Sequence, residues 1–156
     1  MAIPVKGLFE THISVKDRQV SKEFYQRVVG LELATEIPAR DITFFWVGGH
    51  KKQLLGIWGA NSPNPPISRG HFHFAFEVEL QEFDTIVARL KELDVQPLDF
   101  NLKPTDEPVV IGWVPNLSIY FKDPDGHSLE FLAVMPETAR PEVGVVNWSE
   151  WKKQAA

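Results

Sequence analysis

The sequence predicts an α+β fold in which a β-α-β-β-β unit is used twice. Three observations carry this. Short stretches alternate apolar and polar residues along most of the chain, and only one run early in each half has helical spacing. Each helical run follows one alternating strand and precedes several more. A shift of 63 residues lays the opening strand on its later counterpart, with Thr11, Ile13 and Val15 falling on Phe74, Phe76 and Val78.

Residues 7–15 form the first expected strand, with Thr11, Ile13 and Val15 on one face and Glu10, His12 and Ser14 on the other. Asp17 sits where a helix N-cap belongs, Val20, Phe24 and Val28 follow at helical spacing, and Gly30 supplies the stop. Strands at 31–35, 42–47 and 53–58 complete the first unit. The stretch 61–66, dense in proline and turn formers, is the linker. Residues 70–78 alternate again, setting Phe72, Phe74, Phe76 and Val78 against His71, His73, Ala75 and Glu77. Phe83, Ile86, Val87, Leu90 and Leu93 make the second helical stripe. A short strand is expected at 95–100, a polar loop at 101–108, and strands at 109–113 and 117–121. The tight turn Asp123-Pro124-Asp125-Gly126 then leads into a last strand at 128–134. The expected organisation is one domain over 1–136, with modules at 7–59 and 70–134, a linker at 60–69 and a C-terminal arm at 137–156. Trp148 and Trp151 would form the apolar face of a short helix in that arm, docked on the chain's own body or on a second subunit.

Composition narrows the function classes. Hydrophobic residues make up 44% of the 156 and charged residues 24%, which is a globular balance. The chain has no cysteine, so disulfides, thiolate metal sites and a cysteine nucleophile are excluded. A net charge of −5 gives no general pull on phosphate backbones, so nucleic acid is not an expected partner. No apolar run reaches the ~20 residues of a membrane span, and residues 1–7 lack the apolar core of a secretory signal. The expectation is a cytoplasmic protein with a small-molecule substrate and no membrane partner.

The polar residues of the strands carry the chemistry. Glu10, His12, Ser14, His71 and His73 occupy the phase opposite the core, where dry burial would be costly. They fit a sheet face that lines a wet cavity. On the last strand Leu129 and Phe131 take the core phase, so Glu130 points the way those histidines do. Imidazole and carboxylate from separate strands can meet one divalent ion, and zinc, iron, nickel, cobalt and manganese all suit such donors. His50 belongs to an exposed glycine turn, and His127, in the core phase, is structural.

Several motifs together resemble the vicinal oxygen chelate superfamily. They are Val15-Lys16-Asp17 before a helix with Phe24-Tyr25 and Gly30-Leu31, then His73-Phe74-Ala75-Phe76, then Phe121-Lys122-Asp123-Pro124-Asp125-Gly126-His127-Ser128-Leu129-Glu130. That superfamily includes glyoxalase I, extradiol dioxygenases, fosfomycin-resistance thiol transferases and bleomycin-resistance proteins. The resemblance implies paired βαβββ modules whose curved mixed sheets enclose a metal-centred cavity. It also implies that His73 is the second-module histidine ligand and Glu130 the terminal carboxylate ligand. In many members a histidine lies seven residues before the aspartate that caps the first helix, and that position here is Glu10. The internal shift also pairs Glu10 with His73. His12, two further along the same face, is the other candidate, and strand phase does not separate the two. The stretch 54–58 offers no fourth ligand.

The chemistry so implied is a divalent metal that stabilises negative charge on two neighbouring substrate oxygens. The favoured reading is a glyoxalase-like lyase or isomerase, with Glu10 as proton acceptor and His12 as relay. An extradiol-type dioxygenase using His12, His73 and Glu130, and a metal-free drug-binding protein, are the alternatives. Trp58, Trp113, Phe100 and Phe45 are candidates for the cavity wall, with His71 beside them. A homodimer is expected.

Overall fold

The computed structural model describes residues 7–63 and 70–155. Residues 64–69 of the expected linker, and 1–6 at the N-terminus, lie outside them. The chain divides into two compact units, one through Phe72 and one from His73 onward.

The first unit holds β1 (Glu10–Ser14), α1 (Arg18–Phe24), β2 (Glu32–Ile37), β3 (Ile42–Val47) and β4 (Gln53–Trp58). Its mixed sheet has the order β1-β4-β3-β2, with β1 parallel to β4 and the other pairs antiparallel. Asp17 caps α1 as expected, accepting from the backbone N–H groups of Gln19 and Val20. The helix continues as a wider π turn over Tyr25–Val29 and stops at Gly30, whose φ of 79° is left-handed. Phe24 and Val28 are buried as expected and Ser21 and Tyr25 join them, whereas Val20, expected on the same stripe, is 49% exposed. The face that carries Ser21 is turned inward, where its small side chain permits close helix–sheet approach.

The second unit repeats the order with β5 (His73–Glu77), α2 (Ile86–Glu92), β6 (Val109–Ile111), β7 (Asn116–Lys122) and β8 (Ser128–Val134). It then adds β9 (Val145–Asn147) and α3 (Trp148–Ala155). The sheet order is β5-β8-β7-β6-β9, with β5 parallel to β8. Phe83, Ile86 and Leu90 are buried on the helical side, as are Leu117, Ile119, Phe121, Leu129 and Phe131 on the strands.

Three expectations about this unit are corrected. Residues 95–100 form no strand: Leu98 alone bridges to Tyr120, because Pro97 has no N–H and the Asp99 carboxylate bends the chain by accepting from Asn101 and Lys103 N–H. The strand expected at 109–113 ends at Ile111. Gly112 is wedged against the arm there, donating to Gly144 O and accepting from Arg140 N–H, both at 2.8 Å. The arm is also more than one helix, since β9 extends the sheet beside β6 and Trp151 is 1% exposed. Among the described residues no helix is long and apolar enough to cross a membrane.

Candidate functional site

Each unit presents a histidine–carboxylate pair on the face of its sheet opposite the helix. In the second unit parallel pairing sets His73 beside Ser128 and Ala75 beside Glu130. The small Ala75 side chain leaves room for the carboxylate to reach the imidazole. His73 Nε2 lies 3.4 Å from Glu130 Oε2, and His73 Nδ1 lies 3.1 Å from the Ser128 carbonyl oxygen. A carbonyl oxygen only accepts, so in the neutral ring the proton is on Nδ1 and the Nε2 lone pair faces Glu130. This is the arrangement by which a backbone carbonyl orients an imidazole for metal ligation.

Glu130 is 5% exposed, and its Oε1 has no hydrogen-bond partner among the described residues. A dry carboxylate with a vacant acceptor is expensive unless a cation or donor meets it. The donors on the neighbouring strand end at this group. Asn116, Ser118 and Tyr120 share one face of β7, the Asn116 amide donates to Ser118 Oγ at 3.4 Å, and Tyr120 stands in register with Glu130. Burial, and next the negative Glu130 carboxylate facing it, push the Tyr120 phenol well above its ordinary value, so it remains a donor. Sequence reasoning missed Tyr120. The signal was available, because Ile119 and Phe121 in the core phase put Tyr120 in the phase of Glu130.

In the first unit His12 Nε2 lies 3.4 Å from Glu10 Oε1, and Trp58 Nε1–H donates to His12 Nδ1 at 2.8 Å. Trp58, expected on an apolar wall, is buried and acts through its N–H. Phe45 is a core residue packed against Tyr25, Trp113 is 67% exposed in the turn between β6 and β7, and His71 is exposed ahead of β5. Phe100 stands edge-on to Tyr120, which in turn lies against His73, so of the expected wall residues it is the one placed beside the second pair.

The donor chemistry of the second pair fits a divalent ion, through an oriented imidazole lone pair and a buried carboxylate oxygen without a partner. Among the described residues, however, no group of three His, Asp or Glu side chains gathers closely enough to hold one. Each unit by itself supplies a pair.

Two βαβββ units, each with a histidine–carboxylate pair on the sheet face away from its helix, define the class of protein. The model of the glyoxalase/bleomycin resistance protein/dioxygenase superfamily matches residues 7–131, and the chain belongs to that superfamily. It is 31% identical over 132 residues to the metallothiol transferase FosB of Lysinibacillus sphaericus, covering 81% of this chain and 82% of that protein. Among solved structures, an integron cassette protein from the mobile metagenome of the Halifax Harbour sewage outfall is 30% identical. It has a TM-score of 0.66 and covers 83% of this chain and all of that one (100%). A lactoylglutathione lyase of Agrobacterium tumefaciens is 25% identical with a TM-score of 0.63, over 84% of this chain and 96% of that one.

Proposed function

We propose that this protein is a metal-dependent enzyme acting on a small substrate that offers two neighbouring oxygens, with transfer of a thiol as the reaction class. The observation that carries the reading is the buried Glu130 carboxylate with a free Oε1 beside a His73 ring whose lone pair is already aimed at it. His73 and Glu130 are the ligands we assign from the second unit. Glu10, which the internal repeat pairs with His73, is the donor we assign from the first. Lewis acidity toward the two substrate oxygens is what a divalent ion supplies when bound.

The chain's own residues do the rest. The Ser128 carbonyl holds the His73 tautomer, the Tyr120 phenol, kept protonated by burial and by the Glu130 carboxylate, faces that carboxylate as a neutral group, and Phe100 offers an apolar edge beside them. Thiol transfer is supported by the name of the curated relatives, metallothiol transferase. With no cysteine in the chain, the thiol must come from a cosubstrate. A glyoxalase-like lyase is the second reading, supported by the similarity to the Agrobacterium enzyme. Dimer formation belongs to the same proposal and is read by light scattering.

The test is calorimetric titration of chelator-treated protein with Mn²⁺, Zn²⁺ and Ni²⁺, followed by an assay of thiol consumption with fosfomycin as the probe substrate. Wild type binds one ion per chain, whereas His73→Ala and Glu130→Gln do not. Stoichiometric binding that survives in both variants would overturn the ligand assignment. Thiol loss that is the same with and without metal would overturn the reaction class.

A further inference from the structure

The two histidines are held in opposite tautomers, and the residue that sets the first is Trp58. An indole N–H can only donate, so the 2.8 Å bond from Trp58 Nε1 requires a lone pair on His12 Nδ1. The proton of the neutral ring is then on Nε2, the nitrogen 3.4 Å from Glu10 Oε1. His12 therefore offers an N–H toward Glu10, where His73 offers a lone pair toward Glu130.

The ring has little freedom to exchange the two nitrogens. His12 on β1 is in register with Gly56 on β4, and a Cβ built at Gly56 would lie 2.4 Å from His12 Nδ1. The imidazole fills the space a side chain would take there, and Phe44 meets it edge-on at 5.7 Å between centroids. Trp58 itself is 3% exposed, with the Arg40 guanidinium over its ring at 4.8 Å.

We infer that Trp58 is a positioning residue that locks His12 as an Nε2–H donor, so that His12 orients the Glu10 carboxylate and is withheld from metal ligation. The inference rests on the proposed reading in which Glu10 is the first-unit ligand. It answers the choice between Glu10 and His12 that strand phase leaves open. It also assigns a purpose to two neighbours, a donor at Trp58 and the missing side chain at Gly56.

The experiment is a long-range ¹H–¹⁵N spectrum of metal-free, ¹⁵N-labelled protein near pH 8, above the ordinary imidazole range. The His12 signals are assigned by their loss in His12→Gln. Wild type is expected to show a pyridine-type Nδ1 and a pyrrole-type Nε2 for His12, and the reverse for His73. Trp58→Phe removes the donor but keeps an aromatic ring, and is expected to move His12 Nδ1 toward the pyrrole type while His73 is unchanged. Gly56→Ala, with Trp58 intact, is expected to break the same bond, read as faster exchange of the Trp58 indole proton. A protonated Nδ1 on His12 in wild type overturns the inference whether or not the variants fold. So does an unaltered His12 pattern in folded Trp58→Phe. Because no metal is present, these results stand apart from the ligand assignment, which fails only if His73→Ala and Glu130→Gln keep the ion.

Discussion

Glu130 Oε2 stands 3.4 Å from His73 Nε2, while Oε1, buried, has no hydrogen-bond partner among the described residues. Glu130→Gln should raise the stability of the metal-free form, because a neutral amide can turn its NH₂ toward His73 Nε2 and loses the desolvation cost of a charge. An unsatisfied buried polar group costs about 1–3 kcal/mol, and each kcal/mol moves Tm by roughly 2–4 °C in a chain of this size. Under the proposed ligand assignment added metal should stabilise wild type, and the same substitution should abolish that effect. Thermal melts with and without chelator check both signs. A variant that melts lower in the absence of metal would show that Glu130 is held by the fold itself.

Arg18 is the centre of the ion network in the first unit. Its Nε donates to Asp41 at 2.9 Å and its Nη1 to Glu36 at 2.8 Å and Thr43 Oγ1 at 2.7 Å, and Lys22 also reaches Glu36 at 2.9 Å. Arg18→Met leaves two partly buried carboxylates short of donors and should cost about 1–3 kcal/mol in urea denaturation at pH 7, discounted for partial exposure. The hydrogen bond from Lys22 first, and that from Arg18 next, hold the Glu36 carboxyl below its ordinary 4.5. A lowered folded pKa means stability that is fully present above about pH 4.5 and is lost as pH falls through the lowered value. Lysine alone remains in Arg18→Met, so the difference between wild type and variant measured at pH 7 should shrink at a second pH well below the ordinary 4.5. A constant difference between the two pH values would sink this account.

The β-α-β-β-β succession of elements along the chain and the faces of β1, β5 and β8 were legible in the sequence because a half-buried strand repeats every two residues. The same phase rule picked out Glu10, His12, His73 and Glu130, and each histidine stands beside the carboxylate of its own unit. The sequence could not show which ring nitrogen is free. That depends on the Ser128 carbonyl and the Trp58 indole, which reach the rings across a parallel ladder from residues distant along the chain. In the first helical stripe Phe24 and Val28 were legible, and only Val20 was misplaced, because Ser21 is polar in composition yet small enough to take the buried position beside it. The fifth strand of the second unit escaped because Val145, Val146 and Asn147 make a signal too short to stand without its partner.

The loop at 101–108 is anchored by the arm. Glu107 Oε2 accepts from Ser149 N–H at 2.9 Å and Oε1 from Ser149 Oγ at 3.1 Å, while Trp148 N–H donates to Pro108 O at 3.0 Å. Glu107→Ala removes a carboxylate that satisfies an N-terminal N–H of α3 and should cost about 1 kcal/mol. Trp151→Ala empties a fully buried site over which Arg140 stacks at 3.5 Å, and should cost about 3–5 kcal/mol. Hydrogen exchange should then quicken at 145–155 in both variants, and proteolysis should begin in the arm. Equal protection in wild type and Trp151→Ala would mean that the arm is held by its strand alone.

Gly112 decides whether that strand can form. A Cβ there would lie 2.5 Å from the Arg140 carbonyl oxygen and 3.1 Å from that of Gly144. Both obstacles are backbone, so no rotamer change relieves them, and the two 2.8 Å bonds that join Gly112 to Gly144 and Arg140 must stretch. Gly112→Ala should therefore cost about 1–3 kcal/mol, as overpacking does, although alanine is otherwise the safer residue for a strand end. The larger effect is on the edge. With β9 displaced, β6 presents unpaired N–H and C=O groups, the condition under which sheets recruit other chains. Gly112→Ala should self-associate at concentrations where wild type keeps its own oligomeric state, and the amide of Val110, which faces β9 in the ladder that also pairs Pro108 with Trp148 and Gly112 with Gly144, should exchange faster in dilute solution. If the variant melts within 0.5 kcal/mol of wild type and elutes at the same size, the arm tolerates a side chain at this position and the edge is protected by something other than β9.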